Sequence, residues 1–194
     1  MTSPGPLHLA STVEANTLLA RDPFALLIGM LLDQQVPMEK AFTSPEVLRD
    51  RLGGQLDAPT IAEYDPEQFA AIFREPPALH RFPAAMAKRV QALARALVDN
   101  YAGDAAALWT TASSGADLVR RVAALPGFGK QKAQIFTALL GKQLGVRPRG
   151  WREAAGPYGE NGATRSVADV VDAESLQRVR AYKQQVKAAA KAGH

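Results

Sequence analysis

A tight turn between two helix-like runs is the first segment whose residue types could do chemistry. In "ALPGFGKQKAQIF", which begins at residue 124, a proline and two glycines, Gly127 and Gly129, stand just before Lys130 and Lys132. Glycine can take a positive φ and lets another backbone or a ligand come close. The free N–H groups at the start of a helix, beside the positive end of its dipole, suit a phosphate. We therefore expect Gly129 and the next helical turn to bind one phosphate, with both lysines adding charge.

Such a turn contacts the sugar–phosphate backbone of a nucleic acid rather than the base edges. It predicts DNA binding that is independent of sequence and sensitive to salt. Phe128 is expected to point inward and anchor the turn. An ordinary turn between two packed helices is the alternative that these residues leave open.

The distribution of charge favours the same kind of partner. Residues 1–119 carry nine Lys and Arg against fourteen Asp and Glu, whereas residues 120–194 carry fourteen against five. A basic portion that begins at the turn is typical of a protein that meets a polyanion. A solvated basic tail is the other interpretation, because five of these cations lie in the last nineteen residues.

Length and composition exclude several classes of protein. The 194 residues, 47% of them hydrophobic, suffice for one compact unit or two small lobes that share a core. There is no cysteine, so a disulfide framework, a thiolate zinc site and an iron–sulfur cluster are all excluded. The longest apolar stretch, "PFALLIGMLL", has half the length of a bilayer span. We expect a cytoplasmic, nucleoid-associated protein with no membrane segment.

Helical periodicity dominates the chain and predicts an all-α fold of many short helices. Ser and Thr precede "VEANTLLA", and Asp22 precedes Pro23, as at helix starts. A short helix is expected at "MEKAF" and a separate one from Ser44 and Pro45 to a stop at Gly53. A longer predicted helix, "PAAMAKRVQALARALVDNY", places four apolar residues on one stripe: Met86, Val90, Leu93 and Leu97.

Residues 145–166 break this pattern with five glycines and few large aliphatic residues. They predict a long loop, and such a loop in a compact domain is usually functional or disordered. From residue 166 onward the pattern of a helix resumes. Its predicted apolar stripe consists of Leu176, Val179, Tyr182 and Val186.

Two motifs together resemble a known family. "LPGFGKQKA" is similar to the hairpin of the helix-hairpin-helix DNA glycosylase superfamily (HhH-GPD), which includes endonuclease III, the adenine glycosylase and the 3-methyladenine glycosylases. Upstream, "LLIGMLLDQQVPMEKA" resembles the family helix that ends in a Gln-containing motif entering the DNA duplex. The motifs occur in the family's order, and the resemblance covers roughly residues 20–150.

The resemblance implies a monomeric, two-lobed protein with a groove for double-stranded DNA between the lobes. Residues 22–132, including the hairpin, would form a helical barrel. Residues 1–21 and 133–194 would form the second lobe, with the loop at 145–166 and the basic C-terminal helix.

The resemblance also assigns roles to individual residues. The target nucleotide would be flipped into the groove, and Gln35 would fill the gap or touch the orphan base. Without the resemblance, Gln35 is simply a polar residue at a helix end. In the family the turn carbonyls often hold a monovalent cation, here those of Leu125 and Gly127, and no other cofactor is expected.

The residues that do chemistry in this family are missing. The lysine of lyase-competent relatives, which attacks the sugar, falls two residues after the second glycine, and that position is Gln131. Lys130 and Lys132 should point elsewhere, because successive helical residues are about 100° apart. The resemblance therefore implies a monofunctional enzyme at most, unless a one-residue shift recruits either lysine.

Two further family positions are altered. The family aspartate corresponds to Gly150, and the glutamate specific for adenine corresponds to Met30. Since a carboxylate stabilises the oxocarbenium-like sugar and orients the nucleophile, another one must replace it if the chain is an enzyme. Asp33, two residues before Gln35 in an apolar run, is the first choice, and Glu153 is the second.

Other side chains near these positions have open roles. Asp169 is a third candidate carboxylate or caps the final helix. Trp151 and Tyr158 stack on a flipped base or pack between the lobes. Three arginines are expected at phosphates, at the lesion or beside a departing anionic base: Arg147, Arg149 and Arg152.

These observations predict a base-excision DNA repair protein, a monofunctional glycosylase that removes a damaged base. A cationic alkylated purine would need the least help, because its glycosidic bond is already weak. The alternative is a non-catalytic protein that binds a lesion or DNA structure, and a third interpretation is a helical interaction module that merely contains a hairpin.

Overall fold

The computed structural model describes residues 5–193, and within this range the chain is helical with no β-strand. The predicted all-α class is confirmed. The helices are α1 (Val13–Arg21), α2 (Pro23–Leu32), α3 (Met38–Arg51), α4 (Ala58–Glu63), α5 (Pro66–Arg74), α6 (Pro83–Tyr101), α7 (Ala107–Thr110), α8 (Gly115–Ala123), α9 (Lys130–Gln143), α10 (Trp151–Ala154) and α11 (Ala173–Ala192). Short 3-10 helices lie at Gly156–Gly159 and Val167–Asp169.

Side-chain caps set where several helices begin. The Asp22 carboxylate accepts the N–H groups of Phe24 and Ala25, with Pro23 at the first helical position, as the sequence predicts. Thr12 caps α1 in the same way. These bonds satisfy donors that a helix leaves free at its start.

The helix α3 corrects one expectation. Residues 38–51 form one continuous helix with Pro45 inside it, not two helices with a start at Ser44. The Ser44 hydroxyl is buried and bonds the carbonyls of Lys40 (2.8 Å) and Leu79 (2.7 Å), so it does not cap a new helix. Burial of Ala41 and Phe42 outweighs the loss of one helical hydrogen bond at the proline. Past the end of α3, Gly53 has a φ of +89°, as expected of a helix stop.

The helix α2 lies at the centre of the core. Every residue from Phe24 to Leu32 is buried, and α2 packs against α1, α3 and α6. Gly29 lets the Phe42 ring of α3 come close, since a Cβ there would lie 2.6 Å from Phe42 Cδ1. The predicted stripe of α6 is buried, and α4 and α5 pack on that helix.

The turn between α8 and α9 is anchored on α2. Phe128 points inward, as expected, and its ring centroid lies 6.5 Å from that of Phe136. Gly127 has a φ of +81°, and a Cβ at that position would lie 2.2 Å from Leu31 Cδ1. The turn therefore sits directly on the C-terminal end of α2.

The segment at 145–166 is not a single long loop, because it contains α10 and a 3-10 helix and its Trp151 side chain is buried. A Cβ at Gly141 would lie 2.4 Å from the Trp151 ring, and one at Gly115 would lie 2.4 Å from the Trp151 Cα. The Gly115 N–H also donates to the Arg149 carbonyl (2.8 Å). Of the two roles open for Trp151, the structure shows packing.

The final helix begins later than predicted. Ser166 and Asp169 form a capping box around a short 3-10 helix, and Asp172 caps α11. Asp169 is thus not the cap of the final helix; it is buried in an ion pair with Lys142 (2.6 Å). Along the predicted stripe, burial decreases from Val179 to Val186, which is half exposed.

No single described helix is long and apolar enough to cross a membrane, and the one combination that meets the length and composition test, α1 with α2, is bent by 116°.

The two-lobe boundary stays a prediction. The helix α1 packs on α2 and α3, while Arg180 of α11 is paired with Glu39 of α3 (2.5 Å). Of the predicted second lobe, residues 1–4 and 194 lie outside the described residues.

We expect Gly115→Ala to lower the free energy of unfolding by about 1–3 kcal/mol, because the new methyl group would overlap the backbone of Trp151. Alanine is the better helix former by about 1 kcal/mol, so helix propensity alone predicts the opposite sign. Denaturant unfolding measures the difference. Gly129→Ala is the control, because no atom lies within 4 Å of its Cβ position. Equal stability of both variants would contradict the packing of α8 on α10.

Candidate functional site

A pocket of about 510 Å³ opens where the C-terminal end of α2, the start of α9 and the helix α11 meet. Its polar wall contains Asp33, Gln131, Lys132, Arg165, Lys183 and Lys187. Its apolar and aromatic wall contains Met30, Ile135, Tyr158, Val167, Tyr182 and Val186. The pocket therefore brings together residues from α2, α9, the 3-10 segments and α11.

Asp33 is the candidate carboxylate that the structure places in this pocket. Burial raises the pKa of Asp33, although the nearby ammonium groups of Lys183 and Lys132 lower it, and Glu39 adds to the increase. Burial also lowers the pKa of Lys132, which Asp33 partly offsets. A carboxylate and an ammonium group thus influence each other in a partly enclosed site.

Lys132 corrects the expectation that both hairpin lysines point away. Its Nζ donates to the Leu31 carbonyl (3.3 Å) and lies 5.9 Å from the centroid of the Phe128 ring. The carbonyls that end α2 form the negative end of that helix dipole, and the long lysine side chain reaches across the turn to them. Lys130 is exposed and does not line the pocket.

Gln131, the position that the resemblance assigns to the family lysine, also lines the pocket. Gln131 donates from its Nε2 to the Tyr158 hydroxyl (2.8 Å), and both side chains form the wall. Gln131 therefore holds the aromatic side chain that was predicted as a stacking candidate. Stacking of a base on Tyr158 stays a prediction.

The structure does not bring Glu153 to the pocket. Glu153 is exposed on α10, and Gly150, with a φ of +73°, precedes that helix. Among the residues that line the pocket, Asp33 is the only carboxylate. Asp169, the third candidate carboxylate, does not line the pocket either, and it is buried in its ion pair with Lys142.

Gln35 lies in the turn that follows α2, and its backbone is in the left-handed region at a φ of +57°. This conformation is uncommon for a residue other than glycine and costs energy unless the surroundings impose it. The side chain of Gln35 is exposed. Contact of Gln35 with DNA stays a prediction, and the position suits it.

A cluster of side chains that sequence reasoning missed holds this turn. His80 is buried, and its Nε2 donates to the carbonyls of Leu32 (3.1 Å) and Gln34 (2.9 Å), while its Nδ1 accepts the N–H of Phe82 (3.0 Å). Assigned from this network, the ring is neutral with its proton on Nε2. Burial lowers the pKa of His80, against the effect of the two carbonyls.

Arg89 completes this cluster. Its guanidinium donates to Gln34 Oε1 (2.8 Å), and Gln34 Nε2 donates to the Leu31 carbonyl (2.8 Å). His80 and Arg89 lie 46 and 55 residues along the chain from Gln34. No local pattern in the sequence could connect them. We call His80, Arg89, Gln34 and Lys132 the α2-end cluster.

Two of the predicted arginines have contacts within the protein. Arg147 Nε donates to the Gly141 carbonyl (2.8 Å). Arg152 lies 4.4 Å from the centroid of the Trp151 ring and donates to the Gly159 carbonyl (2.9 Å). Arg149 is exposed. Contacts of the three with DNA stay predictions.

The described residues contain no group of three or more His, Asp or Glu side chains that could hold a metal ion. At the hairpin, the Leu125 carbonyl accepts the Phe128 N–H (3.1 Å). A carbonyl has a second lone pair, so a monovalent cation at Leu125 and Gly127 stays a prediction.

We expect the free energy of unfolding to fall between pH 7.5 and pH 5.5 through His80. Because its pKa is lowered in the folded protein, the unfolded chain takes up a proton first as the pH drops below about 6.5. His80→Gln should lower stability at pH 7.5 by about 1–3 kcal/mol, since the Phe82 N–H loses its acceptor at Nδ1, and should flatten the pH dependence because glutamine does not titrate.

Denaturant unfolding at the two pH values measures this effect, with His8→Gln as the control because His8 is exposed. The raised pKa of Asp33 acts with the opposite sign and is shared by all three proteins. A pH dependence that persists in His80→Gln and disappears in His8→Gln would contradict the assignment.

Comparison with known proteins relates this geometry to a family. A family model described as "HhH-GPD superfamily base excision DNA repair protein" matches residues 28–193, which include the end of α2, Gln35, the hairpin and the pocket walls. No curated protein and no solved structure matches the chain. Since the match spans most of its length, the chain belongs to the HhH-GPD superfamily of base excision DNA repair proteins.

Proposed function

We propose that this protein is a monofunctional DNA glycosylase that flips a damaged nucleotide out of double-stranded DNA into the pocket, with Asp33 as the catalytic carboxylate. Members of the superfamily bind DNA and are generally DNA glycosylases. The observation that carries the proposal is that Asp33 shares one pocket with Gln131, at the family lysine position, and with Met30, at the adenine-specific glutamate position.

The proposed reaction needs one carboxylate. As the bond between C1′ and the base nitrogen breaks, the base keeps the electron pair and the sugar gains positive charge. An ionised Asp33 stabilises that charge and accepts the proton of the water that adds to C1′. The cations around Asp33 favour its ionised form, which partly offsets the effect of burial.

The same geometry supports the absence of a Schiff base. The amide of Gln131 is not a nucleophile of this kind, and the Lys132 ammonium group is engaged with the Leu31 carbonyl. The Gln131 Nε2 group also donates a hydrogen bond to the Tyr158 hydroxyl. A lyase step through Lys132 would have to break its contact with the end of α2.

The grip on DNA follows from the hairpin. Gly129 is exposed at the start of α9, Lys130 is exposed beside it, and Gly127 brings the turn against Leu31 of α2. Free N–H groups at the start of a helix bind phosphate, and each phosphate contact adds salt dependence. Gln35 extends from the turn after α2 and is the residue that we propose enters the duplex.

A second function is favoured by one observation. The family aspartate position is Gly150, which precedes α10 and contributes no carboxylate to the pocket. A protein that recognises a lesion without cleaving the glycosidic bond would keep the hairpin and Gln35 and could dispense with this aspartate. Chemistry at Asp33 distinguishes the two functions.

We expect release of a damaged base from duplex oligonucleotides that carry alkylated, deaminated, oxidised or mismatched bases. Asp33→Asn should slow the release by at least about a hundredfold, as is typical for loss of general acid–base assistance. Asparagine keeps the size of the side chain, so folding and DNA binding should persist. Single-turnover assays measure the rate, and fluorescence anisotropy measures binding.

Glu153→Gln is the matched control, because Glu153 is an exposed carboxylate outside the pocket. It should release the base at the rate of the unchanged protein. Tight binding with no release from any lesion would support the non-catalytic function instead. An equal loss in both variants would refute the role of Asp33.

A further inference from the structure

The pocket carries more positive than negative charge. Lys132, Lys183 and Lys187 line it together with Arg165, against a single carboxylate at Asp33. Arg165 is paired with Glu160 (3.1 Å) and Lys132 donates to the Leu31 carbonyl, so Lys183 and Lys187 are the two lining cations with neither of these contacts. This excess of positive charge acts on any base that enters, although Lys183 and Lys187 are exposed and water weakens their effect.

Two of these lysines belong to one face of α11. Lys183 and Lys187 are four residues apart, so they lie one above the other on the helix, and both side chains line the pocket. Lys183 is close enough to Asp33 to lower the pKa of that carboxyl more than any other cation does. Of the two pocket lysines on α11, Lys183 is therefore the one that acts on the Asp33 carboxylate.

The uncharged polar groups of the wall also include a free donor. The Tyr158 hydroxyl accepts the Gln131 Nε2–H, so its own proton remains available for donation. Lysine ammonium groups are donors only. A wall made largely of donors complements the carbonyl oxygens of a base, and it does not complement a positively charged ring.

We propose that the base removed by this protein is a neutral, carbonyl-bearing base that departs as an anion, and not a cationic alkylated purine. This inference rests on the proposed glycosylase function. When the C1′–N bond breaks, the base keeps both electrons, and its negative charge spreads onto the carbonyl oxygens. Lys183 and the Tyr158 hydroxyl hold that charge, while water adds to C1′ and passes its proton to Asp33.

A cationic alkylated purine behaves differently in the same site. It leaves as a neutral molecule, so it gains nothing from Lys183 in the transition state, and its positive charge is repelled before the bond breaks. The arrangement therefore selects against the lesion class whose glycosidic bond is weakest. The hydrogen-bond donors of the pocket instead stabilise neutral bases that leave as anions, whose glycosidic bonds are stronger.

The test uses duplexes with two sets of target bases. One set contains uracil and 5-substituted uracils, whose acidity as leaving groups increases along the series. The other contains 7-methylguanine and 3-methyladenine. We expect release of the uracil-type bases, faster for the more acidic ones, and release of the cationic purines no faster than without protein.

Lys183→Gln should slow release of the uracil-type bases by about tenfold. Loss of a buried oxyanion donor costs about a hundredfold or more, and the effect is smaller here because Lys183 is solvated. It should also make the rate more dependent on leaving-group acidity, which a purely structural role would not do. Saturating protein in single-turnover assays separates this from weaker DNA binding. Lys191→Gln is the control, because Lys191 follows on the same helix outside the pocket.

Three results would overturn the inference. Release of only the cationic purines would refute the substrate class and leave the glycosylase function intact. An unchanged rate and acidity dependence in Lys183→Gln would refute the role of that lysine. No release of any base from either set would refute the glycosylase function itself, and the inference with it.

Discussion

The carbonyl groups that end α2 need hydrogen-bond donors, and the way this need is met positions the residues of the pocket. The Leu31 carbonyl accepts Gln34 Nε2 and Lys132 Nζ. The Leu32 carbonyl accepts the backbone N–H of Gln34 (2.7 Å) and His80 Nε2. One helix end thus ties together α2, the segment before α6, and the hairpin helix α9. Asp33 sits where these elements meet, and Gln35, with a φ of +57°, directly follows Gln34 of the α2-end cluster.

The function we propose takes its carboxylate from α2, and not from the position at which the resemblance places the family aspartate. Asp33 ends α2 and lines the pocket, whereas Gly150 lies after α9, precedes α10 and does not line it. A carboxylate supplied by α2 can serve an oxocarbenium-like sugar as well as one supplied from elsewhere, provided that the sugar comes within reach. At the position that the resemblance assigns to the nucleophilic lysine, Gln131 donates to the Tyr158 hydroxyl.

Local signals in the sequence were enough to predict the elements that depend on neighbouring residues. The cap at Asp22, the stripe of α6 and the inward position of Phe128 rest on patterns a few residues long. Ser44 misled the prediction of α3, because its hydroxyl bonds a carbonyl 35 residues away. Local helix geometry predicts that Lys132 points away from the pocket. This prediction is wrong because the partner of Lys132 on α2 lies 101 residues upstream. His80 and Arg89 act on Gln34 across similar distances, and a single sequence contains no trace of such pairs.

In the function that we propose, the flipped nucleotide enters the pocket beside Asp33. A crystal structure of the protein with duplex DNA that contains a pyrrolidine abasic analogue would test this most directly, because the charged ring nitrogen mimics the oxocarbenium-like sugar. We expect this nitrogen to lie within about 2.6–3.2 Å of an Asp33 carboxylate oxygen, with Gln35 in the gap left in the duplex. An analogue that stays stacked in the duplex, or that turns toward Glu153, would contradict it.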